Sequence, residues 1–132
     1  MAITLYYKTG RIWVDYCFTS DAVEAVEWLI RNGIINPADY RKAVIEYDCD
    51  KGINWYDNTA KDHYPLKLFG SLSSRHVGEI WCSGVTAGYS GEGPYGTERI
   101  LKMMGFDVDL ETEKRIDSKE NNNPHVFIIL NK

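Results

Sequence analysis

The sequence has few cysteines, few histidines and no long apolar run. Its three cysteines, Cys17, Cys49 and Cys82, are an odd number at no metal-ligand spacing, which favours reduced thiols in a cytoplasmic protein. The three histidines also lack the spacing of a metal site. No apolar run is long enough to span a bilayer, and the alternating start at residues 2–7 does not predict a signal peptide. We therefore expect no metal, no membrane segment and a cytoplasmic location.

The chain also has no excess of basic residues. The chain has 15 Lys and Arg against 19 Asp and Glu, which gives a net charge of −4. Binding of a nucleic acid polymer needs a basic face, so we expect no such partner. A small dianion needs only a local cationic patch, and the charge is compatible with that. The length of 132 residues suits a single domain, residues 1–132, with one core.

Apolar periodicity predicts the secondary structure. The predicted strands are residues 2–8, 11–18, 42–48, 53–56, 78–83, 106–112 and 125–130. The predicted helices run from a cap near Asp21 to Asn32-Gly33, and from Pro94 to Met104. We expect an irregular connection with one short strand or helical turn over 57–76, a flexible turn over 115–124 and a central position for the strand 125–130. Two helices cannot cover both faces of a wide sheet, so the order predicts an α+β fold with a largely antiparallel sheet of about six or seven strands.

Glycine is concentrated in one stretch, residues 81–97, which holds five of the eleven glycines. A strand is predicted before this stretch and a helix after it. A glycine-rich loop that opens a helix leaves backbone N–H groups unpaired at the positive end of the helix dipole, and this arrangement binds anions. The spacing matches neither the P-loop nor the dinucleotide fingerprint. A purely structural turn before a helix is the alternative.

Other residue types in this stretch favour a phosphate-bearing ligand with a flat part. Hydroxyl groups suit phosphate oxygens, exposed tyrosines suit stacking on a base, and Arg99 lies early in the following helix, where a cation indicates an external anion. Glu92 has three interpretations: a backbone cap, an acceptor for a ribose diol or an adenine amino group, or an acid/base without a visible partner. Cys82 as a nucleophile lacks a nearby base.

The run Gly88-Tyr89-Ser90-Gly91-Glu92-Gly93-Pro94, with the small acidic aromatic-rich chain around it, resembles phage anti-defence "sponge" proteins. The similarity is to the anti-Thoeris type, which sequesters cyclic ADP-ribose isomers. The resemblance implies a homo-oligomer in the host cytoplasm that holds its ligand uncleaved at sites shared between subunits. It also implies that Trp81 stacks on the ligand and Arg99 contacts phosphate. Arg11, Arg31, Arg41, Arg75 and Arg115 are equally open for that contact.

The leading hypothesis is non-catalytic sequestration of a small nucleotide signal, such as a cyclic ADP-ribose isomer or a cyclic dinucleotide. No catalytic residue, metal or cofactor is assigned. The predicted ligand-binding residues are Trp81, Ser83, Gly84, Thr86, Gly88, Tyr89, Ser90, Gly91, Glu92, Gly93, Tyr95, Gly96, Thr97 and Arg99. One alternative is an enzyme acting on a nucleotide or nucleotide-sugar with Glu92 as acid or base. The other is an inhibitor or immunity protein that binds a protein through an acidic aromatic face.

Overall fold

The computed structural model describes residues 5–8, 10–15, 18–49, 64–70 and 78–132, with 5–8 described by their backbone. These segments contain six β-strands. They are β1 (Leu5–Lys8), β2 (Arg11–Val14), β3 (Tyr40–Asp48), β4 (Leu66–Gly70), β5 (Glu79–Cys82) and β6 (His125–Asn131). The strands are rich in branched and aromatic residues, which fit a pleated, half-buried surface.

The six strands form one mixed sheet in the order β1-β2-β5-β4-β3-β6. β1 and β2 are antiparallel neighbours, at the positions of the first two predicted strands. β2 and β5 run parallel, with Trp13 opposite Trp81. The other neighbouring pairs are antiparallel. The α+β class is therefore confirmed, and the parallel β2–β5 pair makes the sheet mixed.

Three α-helices occur in the described segments, one more than predicted. They are α1 (Thr19–Arg31), α2 (Glu92–Met103) and α3 (Leu110–Asp117). α1 ends at Asn32, followed by Gly33 at a φ of 69°, as the predicted Asn-Gly stop requires. Short 3-10 turns lie at Pro37–Asp39 and Glu120–Asn122. None of the helices found in these segments is both long and apolar enough to cross a membrane.

The helices pack on one face of the sheet, where alternate strand residues are buried. Those strand residues are Ile12, Val14, Ala43, Ile45, Leu66, Leu68, Ile80, Cys82, Val126 and Ile128. Val26 and Leu29 of α1, Ile100 of α2 and Ile116 of α3 pack against them. The intervening strand residues point to the opposite face, here called the outer face. It carries Arg11, Trp13, Lys67, Phe69, Trp81, Phe127 and Ile129, all at least partly exposed.

The predicted strand over residues 106–112 is wrong, because α3 begins at Leu110. The Asp109 Oδ1 accepts a hydrogen bond from the Thr112 N–H at 2.8 Å and caps the helix. The alternation of Phe106, Val108 and Leu110 is not a strand face, since Phe106 is buried and Leu110 is 76% exposed. The predicted flexible turn over 115–124 is also partly helical, because α3 continues to Asp117 and a 3-10 turn follows at Glu120–Asn122.

The strand at residues 125–130 was predicted to be central, but β6 lies at an edge of the described sheet, beyond β3. Its continuous apolar run reflects burial of one side by helices and partial exposure of the other side. The predicted strand at 53–56 lies outside the described residues. So does most of the connection predicted over 57–76.

Candidate functional site

Residues 83–97, here called the glycine segment, leave β5 and enter α2. Its first six residues, 83–88, are buried, whereas residues 89–92 are exposed. Three N–H groups of the buried part donate to partners within the protein. Ser83 donates to the Val14 carbonyl at 2.9 Å, Thr86 to the Gly93 carbonyl at 3.2 Å, and Gly88 to the Ile116 carbonyl at 2.7 Å. These three donors therefore connect the glycine segment to β2, α2 and α3.

The glycines of this segment lie against the protein's own side chains. A Cβ added at Gly88 would overlap the Cys49 Sγ, and one at Gly93 would overlap the Thr86 Oγ1. A Cβ added at Gly96 would overlap the Cγ2 of Thr19, which lies on α1. Gly84 and Gly88 also have positive φ values of 78° and 97°. The close approach that the glycine density predicts is thus made by neighbouring elements of the same chain.

Three predicted hydroxyl ligands also have partners inside the protein. The Thr97 Oγ1 donates to the Thr86 carbonyl at 2.7 Å, and this bond ties α2 to the segment. The Ser83 Oγ donates to the Val14 carbonyl at 3.1 Å. The Thr86 Oγ1 and the Tyr89 hydroxyl are 2.7 Å apart. These buried hydroxyls satisfy polar groups of the fold, as buried polar groups generally must be satisfied.

The remaining predicted residues form an exposed rim at the start of α2. Ser90, Gly91 and Glu92 are exposed, as are Tyr89, Tyr95 and Arg99. Tyr95 is 61% exposed and its ring lies 5.9 Å from the Arg99 guanidinium carbon. Glu92 occupies the first turn of α2, where the helix dipole favours a carboxylate. The predicted set therefore divides into a buried structural half and an exposed half that a ligand can contact.

Trp81 lies on the outer face, away from the glycine segment's exposed rim. The Arg11 guanidinium carbon is 3.7 Å from its ring centroid, and the Lys67 Nζ is 4.2 Å away. These cations come from β2 and β4, the strands on either side of β5. Arg11 also pairs with Glu79 at 2.9 Å. Cation–π contacts of about 0.5–2 kcal/mol each therefore already engage the Trp81 ring.

A cavity of about 300 Å³ lies at the corner between the end of α3 and the start of β6. Its lining includes one guanidinium, two carboxamides, an imidazole and an aromatic ring. The lining residues are Arg115, Ser118, Asn121, Asn123, His125, Val126, Phe127 and Ile128. The volume is at the lower end of the range for small-molecule sites in proteins. None of these residues was among the predicted ligands, although Arg115 was one of the arginines left open for a phosphate contact.

The turn that borders this cavity has an uncommon backbone. Asn121 and the next residue, Asn122, have φ values of 53° and 58°, in the left-handed region that non-glycine residues seldom adopt. Asparagine tolerates this region best, which explains the Asn-rich sequence. The Asn123 Oδ1 accepts from the His125 N–H at 3.0 Å, and the His125 Nε2 lies 2.9 Å from the Glu46 Oε2. These contacts hold the start of β6 against the turn.

Arg115 lies on the last turn of α3, beside the cavity. It forms no ion pair with a carboxylate in the described part of the chain. Among the described side chains, therefore, no carboxylate pairs with its guanidinium. A guanidinium with free donors recognises planar or tetrahedral anions through two parallel hydrogen bonds. Phe127 borders the same cavity from the edge strand β6; its side chain is 52% exposed and lies on the outer face of the sheet.

Two buried ionisable groups lie outside the cavity. Burial raises the pKa of the Cys82 thiol to about 12, which removes it as a thiolate nucleophile near neutral pH. The pKa of Glu98 is raised to about 7 by burial, by a hydrogen bond to Asp117 and by the charges of Asp117 and Glu113, while Lys102 opposes the rise. Sequence reasoning missed the Glu98 carboxyl, since only the position of α3 brings Asp117 to it. Within the described segments, no cluster of His, Cys, Asp and Glu could hold a metal ion.

Comparison with known proteins gave no relative of this chain: no family model, no curated protein and no solved structure matches it.

Proposed function

We propose that this protein binds a small nucleotide and holds it without chemical change, with the cavity between α3 and β6 as the binding site. The observation that carries the proposal is the side-chain set of that cavity. Arg115 supplies a guanidinium, Asn121 and Asn123 supply carboxamides, and Phe127 supplies a half-exposed ring. A nucleotide presents a phosphate, hydrogen-bonding base edges and a flat base, which are complementary to these three kinds of group.

The contact energies and the cavity volume favour a ligand of about one nucleotide in size. Stacking of a base on an aromatic ring contributes about 1–3 kcal/mol. A charge-assisted hydrogen bond from Arg115 to phosphate contributes about 1.5–3 kcal/mol. Asparagine can both donate to and accept from a base edge, so Asn121 and Asn123 can select among bases. A cavity of about 300 Å³ fits a cyclic ADP-ribose isomer more closely than a cyclic dinucleotide.

The exposed rim of the glycine segment is the second location for the same function. Tyr95 and Arg99 there provide a ring and a cation 5.9 Å apart. The buried half of the segment supports this location less, because three of its N–H groups and three of its hydroxyls have internal partners. The sequestration proposal also includes a homo-oligomer that acts in the cytoplasm, as the resemblance to sponge proteins implies.

Isothermal titration with cyclic ADP-ribose isomers and cyclic dinucleotides tests the function. We expect saturable binding of at least one compound, with intact ligand recovered by chromatography after heat release. Recovery of an altered compound would instead favour the enzyme alternative, and the absence of binding by every compound would contradict the proposal.

Two matched substitutions test the location. Arg115→Gln should weaken binding at least about tenfold, the equivalent of about 1.4 kcal/mol, because the phosphate loses its charged donor. Arg99→Gln removes the same charge from the glycine-segment rim and should leave the affinity unchanged. The opposite pattern would assign the ligand to the rim.

A further inference from the structure

The backbone of β6 has one side that faces no strand in the described sheet. Cys49 donates to the Pro124 carbonyl at 2.8 Å, and Lys132 donates to the Arg41 carbonyl at 3.0 Å. Both pairs belong to the uninterrupted antiparallel register of β3 and β6. Antiparallel hydrogen bonds alternate along a strand, so the even-numbered residues of β6 bond β3. The N–H and C=O groups of Phe127, Ile129 and Asn131 therefore point away from β3.

Within the described residues, this edge lacks the devices that usually prevent strand pairing between molecules. β6 is seven residues long and contains no Lys, Arg, Asp, Glu or Pro. Its register with β3 has no bulge, whereas the register of β3 with β4 is interrupted between Tyr40 and Lys42. Phe127 is 52% exposed and Ile129 is 44% exposed. Monomeric proteins normally shorten, charge, bulge or cover such an edge.

We propose that β6 pairs with β6 of a second copy of this chain, antiparallel about a two-fold axis at Ile129. In this register Ile129 lies opposite itself, and Phe127 lies opposite Asn131 of the partner subunit. Three bonded pairs of residues contribute about six backbone hydrogen bonds. The two sheets join into one, with both outer faces on the same side.

The composition of β6 favours a second copy over an unrelated strand. In a two-fold pairing the residue on the axis faces its own copy, so a charged residue at that position would meet a like charge. The paired stretch, residues 127–131, carries no charge. The pairing also places the exposed rings and branched chains of Phe127 and Ile129 beside those of the partner, which covers apolar surface on both copies.

Sedimentation velocity of the full chain, over a wide concentration range and without nucleotide, tests this interface independently of ligand binding. We expect a species of twice the chain mass of 15.1 kDa. Ile129→Lys places a positive charge opposite itself and should give a monomer. Ile34→Lys adds the same charge at a 39% exposed isoleucine in the loop after α1, and should leave the dimer intact. A wild-type monomer at every concentration, or a dimer that survives Ile129→Lys, would overturn the proposal.

Hydrogen exchange of individual amides locates the contact. In the dimer, the outward amides of Phe127, Ile129 and Asn131 should exchange at least about tenfold more slowly than in Ile129→Lys. The inward amides of Val126 and Ile128 should be protected in both proteins. A dimer with unprotected outward amides would place the interface elsewhere. If the outward amides of β6 were protected only in the presence of a cell extract, the partner of this edge would be another protein. Either result would contradict self-pairing.

Discussion

Replacement of Glu98 by glutamine should make the protein more stable at alkaline pH and remove part of its pH dependence. Glu98 is buried at the α2–α3 interface, and its Oε1 has no hydrogen-bond partner in the described structure. Burial, Asp117 and Glu113 raise its pKa to about 7 from an ordinary value of 4.5. The protonated form is therefore the one that the folded state favours. The associated stabilisation is present below pH 4.5 and is lost as the pH rises through about 7.

The difference between the two pKa values sets the size of the effect. At about 1.4 kcal/mol per pH unit, the gap from 4.5 to about 7 corresponds to at most about 3.5 kcal/mol. Glutamine has a similar shape and can donate to Asp117 at every pH. We expect Glu98→Gln to resemble the wild type at pH 5 and to exceed its free energy of unfolding by about 1–3 kcal/mol at pH 8.5.

Urea denaturation from pH 5 to pH 8.5 measures this difference. Glu24→Gln, at an exposed position on α1, is the matched control and should show no pH-dependent difference from the wild type. A constant difference between Glu98→Gln and the wild type would refute the reasoning. It would mean that Glu98 has the same protonation behaviour in the folded and unfolded chains.

Three further predictions concern the glycine segment and the thiols. Gly88→Ala should lower the free energy of unfolding, measured by urea denaturation, by at least about 2 kcal/mol, since the φ of Gly88 is 97° and the new Cβ would overlap Cys49. Gly33→Ala is the control: the φ of Gly33 is 69° but the space around it is open, so this substitution should cost about 1 kcal/mol. Equal losses would contradict the close packing. Thr97→Val should cost about 1–3 kcal/mol by the same measurement, because a buried carbonyl loses its donor, and an unchanged midpoint would argue against that bond. Under native conditions Cys82 should resist a thiol reagent until the protein unfolds, because it is fully buried and its pKa is about 12. Labelling of Cys82 in the folded protein would be the contrary result.

Local patterns predicted much of the fold. Asn32-Gly33 marked the end of α1, and the apolar spacing of Ile100 and Leu101 marked the buried side of α2. The start of α3 was missed because the alternation of Phe106, Val108 and Leu110 suggested a strand, although Asp109 is a strong helix cap. The edge position of β6 depends on which strands pair, and periodicity contains no information about pairing partners.

The cavity could not be predicted, although its lining residues all fall within 115–128, because most of them are polar and periodicity does not give the path of the turn that joins α3 to β6. Arg115, Asn121 and Asn123 resembled a solvated turn until the structure placed them beside Phe127. The glycine segment shows the opposite difficulty. Dense glycine has the same sequence signature whether a ligand or another part of the chain makes the close approach, and at Gly88 and Gly93 the chain makes it.

The most direct test of the central claim is an NMR titration of the labelled protein with a cyclic ADP-ribose isomer. If the nucleotide binds beside β6, the amide resonances of Asn121, Asn123 and Phe127 will shift saturably while those of Gly84 and Tyr95 in the glycine segment remain in place. Saturable shifts confined to the glycine segment, or no shifts with any nucleotide, would contradict the account.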